Sequence, residues 1–215
     1  MTTGQPGGIS RLIFDKFNTI EDAWFTLCSR TKISGEEYTI DKGSFAGCKR
    51  RQLPFTAFMV LWPWTRPLSV TYKGQNIITQ EQAEKYFAEY LLNPNVAANE
   101  QYTYGSRIAP QLDTIINMLS KTPMTNQAVI EVAQPSDLNL PDPPCLRVVS
   151  WKVSEKKLNL CCYFRSWDLY AGLPTNLCGL QFLNEYIAEM TGLSLGKLIA
   201  FSDGAHLYDY AFDLI

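Results

Sequence analysis

The stretch Arg165-Ser166-Trp167-Asp168-Leu169-Tyr170-Ala171-Gly172-Leu173-Pro174-Thr175-Asn176 decides the fold of this chain. Its first residues are rich in groups that bind anions and form hydrogen bonds, and its last residues open a long helix. Apolar spacing predicts that helix over Pro174 to Thr191, with Gly192 as its C-terminal cap. We therefore expect polar side chains to gather where a strand passes into this helix.

Strands dominate the sequence on both sides of this stretch. The segments Cys145 to Val153 and Leu158 to Phe164 predict a hairpin that turns around Ser154 to Lys157. Shorter strands are predicted at Ala128 to Ala133 and at Lys197 to Phe201.

Helical signals dominate the first half of the chain. One helix is predicted to start at Thr19, with Asp22 completing a capping box. A second is predicted over Thr79 to Leu92, with Gln82 as its capping-box partner, and a third from about Arg107 to Ser120. One strand-like run extends from Phe55 to Trp62. Helices and strands mixed in this way fit one α/β or α+β domain, and without a linker or repeat we expect that single domain to span residues 1–215.

Composition excludes several classes of function. Net charge is −2 and no basic run exceeds Lys49-Arg50-Arg51, so we expect no nucleic-acid partner, only a small local phosphate. The Gly43 to Arg51 segment fits either a phosphate loop or a solvated turn. The apolar stretch from Ala57 to Trp64 is too short for a membrane span, and Met1 to Gly4 lacks a signal pattern.

Cysteine usage points to a reduced, cytoplasmic compartment. The chain has 6 cysteines without a CxxC pair and a single histidine, His206, so no metal site is expected. Cys145 follows Pro143-Pro144 at the start of a predicted strand, where a thiol is fixed in position yet reachable. A lone cysteine, an Arg-Ser pair or a lone histidine is, however, more often structural than catalytic.

Together, in this order and spacing, these residues resemble the thymidylate synthase superfamily. In that family a Pro-Cys pair is followed along the chain by Arg-Ser-x-Asp, then by Gly-Leu-Pro-x-Asn and finally by His-x-Tyr. Upstream, Tyr104-Gly105 is similar to a Tyr-Gly pair of the family. The short form with Gly43 to Gly47 resembles the branch found mainly in archaea. The resemblance implies a single-domain α+β fold with a mixed sheet covered by helices, and a homodimer packed through that sheet.

The resemblance also implies a role for each residue of the motif. Cys145 is the nucleophile that attacks carbon 6 of a pyrimidine, and Arg165 lowers its pKa while holding the nucleotide phosphate with Ser166. Asn176 reads uracil through its amide. The remaining implied roles are proton removal from carbon 5 by Tyr104, and binding of the sugar hydroxyl by His206 and Tyr208.

The implied co-substrate is a reduced pterin, either 5,10-methylene-tetrahydrofolate or a methanopterin analogue, which supplies both the carbon unit and the hydride. Asp168 and Gly172 are expected to face it. Trp167 either borders the pterin or belongs to the core. The family's water-organising glutamate is assigned to Glu84 in preference to Glu89.

The chain departs from the family pattern in ways that affect the site. The double arginine that binds phosphate across the dimer is replaced by Thr125-Asn126-Gln127-Ala128. We expect Arg147 to substitute for it, because residues two apart on a strand share a face, which places Arg147 beside Cys145. Leu146 stands where a histidine commonly follows the cysteine. The sequence ends at Ile215, earlier than the usual enzyme, which leaves the pterin side least defined.

The leading function is therefore conversion of dUMP to dTMP. One alternative keeps the fold but traps the intermediate with water, giving a pyrimidine nucleotide hydroxymethylase. Another is a non-catalytic nucleotide-binding protein. A cysteine hydrolase using Cys145 and His206 is disfavoured because no oxyanion-hole motif accompanies the cysteine.

Overall fold

The structure is a computed structural model that describes residues 14–215; the Met1 to Gly4 segment lies outside the described residues. The helices are α1 (Ile20–Ser34), α2 (Gln80–Tyr86), which continues as a π-helix over Phe87–Leu92, α3 (Tyr104–Lys121) and α4 (Gly172–Thr191). Short 3-10 helices cover Pro135–Asn139 and Asp209–Ala211. None of the helices within residues 14–215 has the length and apolar character needed to cross a membrane.

The strands form a large sheet, a smaller sheet and a short hairpin. Their bounds are β1 (Phe14–Phe17), β2 (Glu36–Thr39), β3 (Lys49–Gln52), β4 (Thr56–Val60), β5 (Val70–Tyr72), β6 (Gln75–Ile78), β7 (Val129–Glu131), β8 (Leu146–Ser154), β9 (Lys157–Phe164), β10 (Trp167–Asp168), β11 (Ser194–Ser202) and β12 (Ala205–Tyr208).

The large sheet has the order β1-β4-β11-β9-β8-β7. Its β1–β4 and β9–β11 pairs are parallel and its other pairs antiparallel, so the sheet is mixed. Helix α4 packs on β9 and β11, while α1 and α3 pack on α4. This arrangement confirms the predicted α+β class, with a mixed sheet covered by helices.

The smaller sheet has the order β10-β12-β3-β2 and was not anticipated from the sequence. In it His206 of β12 lies opposite Asp168 of β10 on one side and Gln52 of β3 on the other. The sheet therefore brings the beginning of the Arg165 to Asn176 stretch, the only histidine (His206) and the basic run Lys49-Arg50-Arg51 side by side.

Local signals set the helix ends. The capping boxes at Thr19 and Thr79 are confirmed, and Gly192 caps α4 with a left-handed φ of 69°. Helix α3 begins earlier than predicted, because the Thr103 hydroxyl accepts a hydrogen bond from the Ser106 amide and forms a capping box there. As a result Tyr104 lies in the first turn of a helix.

Candidate active site

A cavity of about 500 Å³ opens where the smaller sheet meets the start of β8, a volume suited to a small-molecule ligand. Its wall combines a thiol, cations, carboxylates and an imidazole. The lining residues are Ile40, Lys42, Gly43, Ser44, Phe45, Arg50, Gln52, Asp142, Cys145, Arg165, Ser166, Asp168, Asp203, Gly204, His206 and Tyr208.

Cys145 lies on this wall, partly exposed, one residue before β8. Its carbonyl accepts a hydrogen bond of 2.9 Å from the Arg165 amide, which couples the cysteine to the end of β9. Burial raises the pKa of the Cys145 thiol, and the Arg165 guanidinium opposes this increase without cancelling it. The expected influence of Arg165 is thus present, but burial outweighs it.

The Arg165 side chain holds the loop that carries the thiol. Its Nε donates to the Pro144 carbonyl at 3.1 Å, its Nη2 donates to the Pro143 carbonyl, and it pairs with the Asp142 carboxylate at 3.5 Å. Charge-assisted bonds to carbonyls restrict the loop more than the exposed ion pair does. Arg165 therefore positions Cys145 as well as placing a positive charge beside it.

Two further cations on the wall, Lys42 and Arg50, were not assigned to the site from the sequence. Arg50 reaches it because β3 pairs with β12, and its Nε donates to the Tyr38 hydroxyl at 2.6 Å. Lys42 directly precedes the Gly43 to Arg51 region, whose Gly43, Ser44 and Phe45 also line the cavity. These residues are exposed and belong to a turn that borders the cavity, so the phosphate loop and the solvated turn both stay predictions for that region.

His206 is buried (1% exposed) and belongs to the residues that line the cavity. Its Nδ1 lies 2.7 Å from the Gly204 carbonyl. Since a carbonyl only accepts, Nδ1 carries the proton and Nε2 is an acceptor, for which no partner exists among residues 14–215. Burial lowers the pKa of His206 to about 4, so the ring is neutral at pH 7.

Tyr208 completes this part of the wall. Its ring is perpendicular to that of His206 at 4.6 Å between centroids and stacks on Phe45 at 4.1 Å. Burial raises the pKa of Tyr208 to about 12, with a further contribution from Asp168. A neutral acceptor beside a protonated phenol is a suitable pair for binding a ligand hydroxyl.

Asp168 and Ser166 also line the cavity, whereas Gly172 does not. The Asp168 carboxylate accepts hydrogen bonds of 3.0 Å from the Tyr210 hydroxyl and from the Tyr170 amide. Burial raises the pKa of Asp168, and these hydrogen bonds oppose the increase. Gly172 begins α4, where an added Cβ would lie 3.4 Å from the Asp168 Cβ.

Tyr104 does not line the cavity but lies next to the strand that follows Cys145. Its side chain is buried and its hydroxyl accepts a hydrogen bond of 3.2 Å from the Leu146 amide, the residue after Cys145. Burial raises the pKa of Tyr104 well above the usual value, so the phenol is protonated at neutral pH. The structure thus brings the phenol next to the backbone of the cysteine, but not onto the cavity wall.

Arg147 lies beside the cysteine loop, where its Nη1 donates to the Pro144 carbonyl at 3.2 Å, but it does not line the cavity. The pairing of β8 with β9 shifts between Leu146 and Val148, so Arg147 sits at a bulge where alternation of faces no longer holds. Its side chain lines a separate groove with Glu131 and Gln134.

Neither Glu84 nor Trp167 lines the cavity. Glu84 is exposed, accepts a hydrogen bond of 2.8 Å from Gln80 and does not reach the cavity, because it lies on the outer face of α2. Trp167 is only 2% exposed and stacks on Phe164 at 4.1 Å, so it offers no surface to a cofactor. Of the two interpretations of Trp167, the core position is confirmed.

Asn176, in the first turns of α4, is partly exposed and is not among the residues that line the cavity. Its Nδ2 donates to the Tyr86 hydroxyl at 2.8 Å, and its Oδ1 accepts from the Trp167 indole at 3.0 Å. Sequence reasoning missed Tyr86, which is two positions beyond Glu84 and faces inward. The spacing of α2 identified its apolar face but not a hydroxyl that contacts α4.

Comparison with known proteins gives a consistent result. Residues 80–215 match the family model described as thymidylate synthase. A protein of Methanococcoides burtonii named "Putative thymidylate synthase" is 30% identical, with 96% of this chain and 94% of the relative covered. One of the same name from Methanosarcina barkeri is 28% identical with the same coverage.

The solved structure of thermostable thymidylate synthase A from Bacillus subtilis superimposes with a TM-score of 0.73, covering 91% of this chain and 82% of that chain. The two sequences are 18% identical, so this similarity concerns the fold. It confirms the overall architecture expected from the motif.

Proposed function

This chain belongs to the thymidylate synthase family, and from that premise we propose that it converts dUMP to dTMP by reductive methylation, with Cys145 as the nucleophile. The observation that carries the proposal is the shared cavity wall of Cys145, Arg165, His206 and Tyr208. We also propose that the whole chain acts as one domain, because one cluster of buried residues links α1, the large sheet and α4.

Covalent chemistry begins at the Cys145 thiol. Loss of its proton gives a thiolate whose sulfur bonds to carbon 6 of the pyrimidine, which makes carbon 5 nucleophilic. The bond breaks again when the methylated product leaves. Arg165 favours the thiolate electrostatically, in opposition to burial.

The phosphate is held by cations of the same chain in this proposal. Arg165, Arg50 and Lys42 all line the cavity, and the hydroxyls of Ser166 and Ser44 lie on the same wall. Guanidinium groups bind phosphate oxygens in a forked geometry. Arg50 therefore takes the role first expected of Arg147.

The sugar and base are recognised by neutral groups. The free Nε2 of His206 accepts a hydrogen bond from the sugar hydroxyl, to which Tyr208 contributes its phenol. Asn176 binds the edge of uracil, and the protonated Tyr104, near the Cys145 backbone, assists removal of the carbon 5 proton.

A reduced pterin supplies the carbon unit and the hydride. We propose methylene-tetrahydrofolate or a methanopterin analogue as this co-substrate, with Asp168 as the residue that hydrogen-bonds it. The support is the position of the Asp168 carboxylate on the cavity wall.

We further propose a homodimer formed through the large sheet in a reduced cytoplasm. One face of that sheet is covered by helices, while apolar residues on the other face remain partly exposed. Among these, Tyr163 and Phe201 stack at 4.8 Å. All 6 cysteines are free thiols, which agrees with a reducing compartment.

Product analysis tests the function. Purified protein is incubated with dUMP and each reduced pterin, and the nucleotide product is identified by mass spectrometry. Formation of dTMP supports the proposal. A product heavier by one oxygen atom would identify the hydroxymethylase, and nucleotide binding without turnover would identify a non-catalytic relative.

A further inference from the structure

We propose that Trp167 and Tyr86 are positioning residues that fix the orientation of the Asn176 amide, so that the site accepts uracil and rejects cytosine. The inference rests on the proposed function, since it concerns how the same site selects its pyrimidine. Neither residue needs to touch the nucleotide, because both act through Asn176.

Trp167 determines where the amide oxygen points. An indole N–H only donates, so the Asn176 atom that lies 3.0 Å from it must be the oxygen. The indole itself is held firmly, because it stacks on Phe164 at 4.1 Å and on Phe58 at 6.1 Å with 2% exposure. Its donor is therefore fixed relative to α4.

Tyr86 holds the amide nitrogen that the Trp167 contact directs towards it. Its hydroxyl accepts from the Asn176 Nδ2 at 2.8 Å, and burial raises the pKa of the phenol, which therefore stays neutral. The ring approaches Gly179 of α4 so closely that an added Cβ would lie 2.5 Å from it. It also stacks on Tyr90 at 5.5 Å. A glycine on α4 thus makes room for this contact.

The two contacts remove the usual ambiguity of an amide side chain. An amide has two N–H donors and two acceptor positions, so one N–H and one lone pair of Asn176 remain available for a ligand. Uracil presents an N3–H donor next to an O4 acceptor, whereas cytosine presents an N3 acceptor next to an N4 donor. An amide that is free to rotate by half a turn can pair with either base. The fixed amide of Asn176 can pair with uracil but not with cytosine.

The inference is tested by measuring the Kd of dUMP and of dCMP by calorimetry for the wild type, Tyr86→Phe and Trp167→Phe. Tyr90→Phe is the matched control, because it removes a phenol from the same cluster without touching Asn176. A bidentate contact to a base edge typically accounts for about tenfold discrimination or more. We expect the wild type and Tyr90→Phe to prefer dUMP, and the other variants to lose roughly tenfold of that preference.

The ratio of the two Kd values distinguishes positioning from a general structural effect. Tyr86→Phe and Trp167→Phe variants that weaken both nucleotides equally, or that keep the wild-type ratio, would overturn the inference while leaving the proposed function intact. A wild type that binds neither nucleotide would overturn both. Tyr86→Phe keeps the test decisive if Trp167→Phe, at a core position, does not fold.

Discussion

The protonation of His206 should make the folded protein sensitive to mild acid. His206 is the only histidine in the chain, and burial lowers its pKa from 6.5 to about 4. Between these two values the unfolded chain binds a proton that the folded protein does not. The stabilising effect of the neutral, buried ring is therefore complete above pH 6.5 and is lost as the pH falls towards 4.

The size of the loss follows from the two pKa values. A difference of one pKa unit corresponds to about 1.4 kcal/mol, so the full shift is worth roughly 3 kcal/mol, most of it already lost at about pH 4.5. A loss of that size is a substantial part of the free energy of unfolding of a typical domain.

The assay is urea unfolding at a series of pH values for the wild type and for His206→Gln, which removes the titrating ring. Carboxylates that titrate in the same range contribute equally to both proteins, so the difference between the two curves isolates His206. NMR of the single imidazole gives its pKa directly. A wild type that loses no more stability than His206→Gln, or an imidazole pKa near 6.5, would refute the assignment of a buried neutral acceptor.

Other substitutions test the remaining parts of the site. Arg50→Ala should raise the KM for dUMP about tenfold or more in steady-state kinetics, because a charge-assisted hydrogen bond is lost, whereas Arg147→Ala should leave it near the wild-type value. Tyr104→Phe should lower kcat with little change in KM, since the ring and its packing remain. Gly204→Ala should lower the melting temperature, because an added Cβ would overlap the Arg165 carbonyl.

Each of these has an outcome that would count against it. Equal effects of Arg50→Ala and Arg147→Ala on KM would remove the argument for a phosphate site on the cavity wall. An unchanged kcat in Tyr104→Phe would leave that phenol a structural role. A Gly204→Ala variant as stable as the wild type would mean that the neighbouring loop adjusts.

Elements governed by local interactions were predictable from the sequence. The capping boxes at Thr19 and Thr79, the left-handed Gly192 and the β8–β9 hairpin all depend on residues close together in the chain. The hairpin turn places Glu155 and Lys156 at positive φ, which short hairpin turns require. The ordered motif from Cys145 to Tyr208 likewise indicated the family.

Features that depend on distant pairing were not predictable. The short strands β2, β3, β10 and β12 carry little periodicity of their own, and only their mutual pairing brings Arg50 to the cavity wall. The bulge at Arg147 adds one residue to a strand and has no sequence signal in this chain. Tyr86 precedes a π-helical turn, where the normal helical spacing no longer indicates which side chains face inward.

The central claim, that Cys145 carries covalent one-carbon transfer to a pyrimidine, is most directly tested by intact-protein mass spectrometry with 5-fluoro-dUMP. Fluorine cannot leave carbon 5 as a proton does, so a working enzyme retains nucleotide and pterin bound to its cysteine. The incubation includes methylene-tetrahydrofolate or its methanopterin counterpart. Cys145→Ser is the test variant, and Cys161→Ser, which alters a thiol outside the cavity, is the matched control.

We expect the wild type and Cys161→Ser to gain the combined mass of nucleotide and pterin with at least one of the two pterins, and Cys145→Ser to gain none. An adduct that persists in Cys145→Ser, or its absence from the wild type with both pterins, would contradict this account.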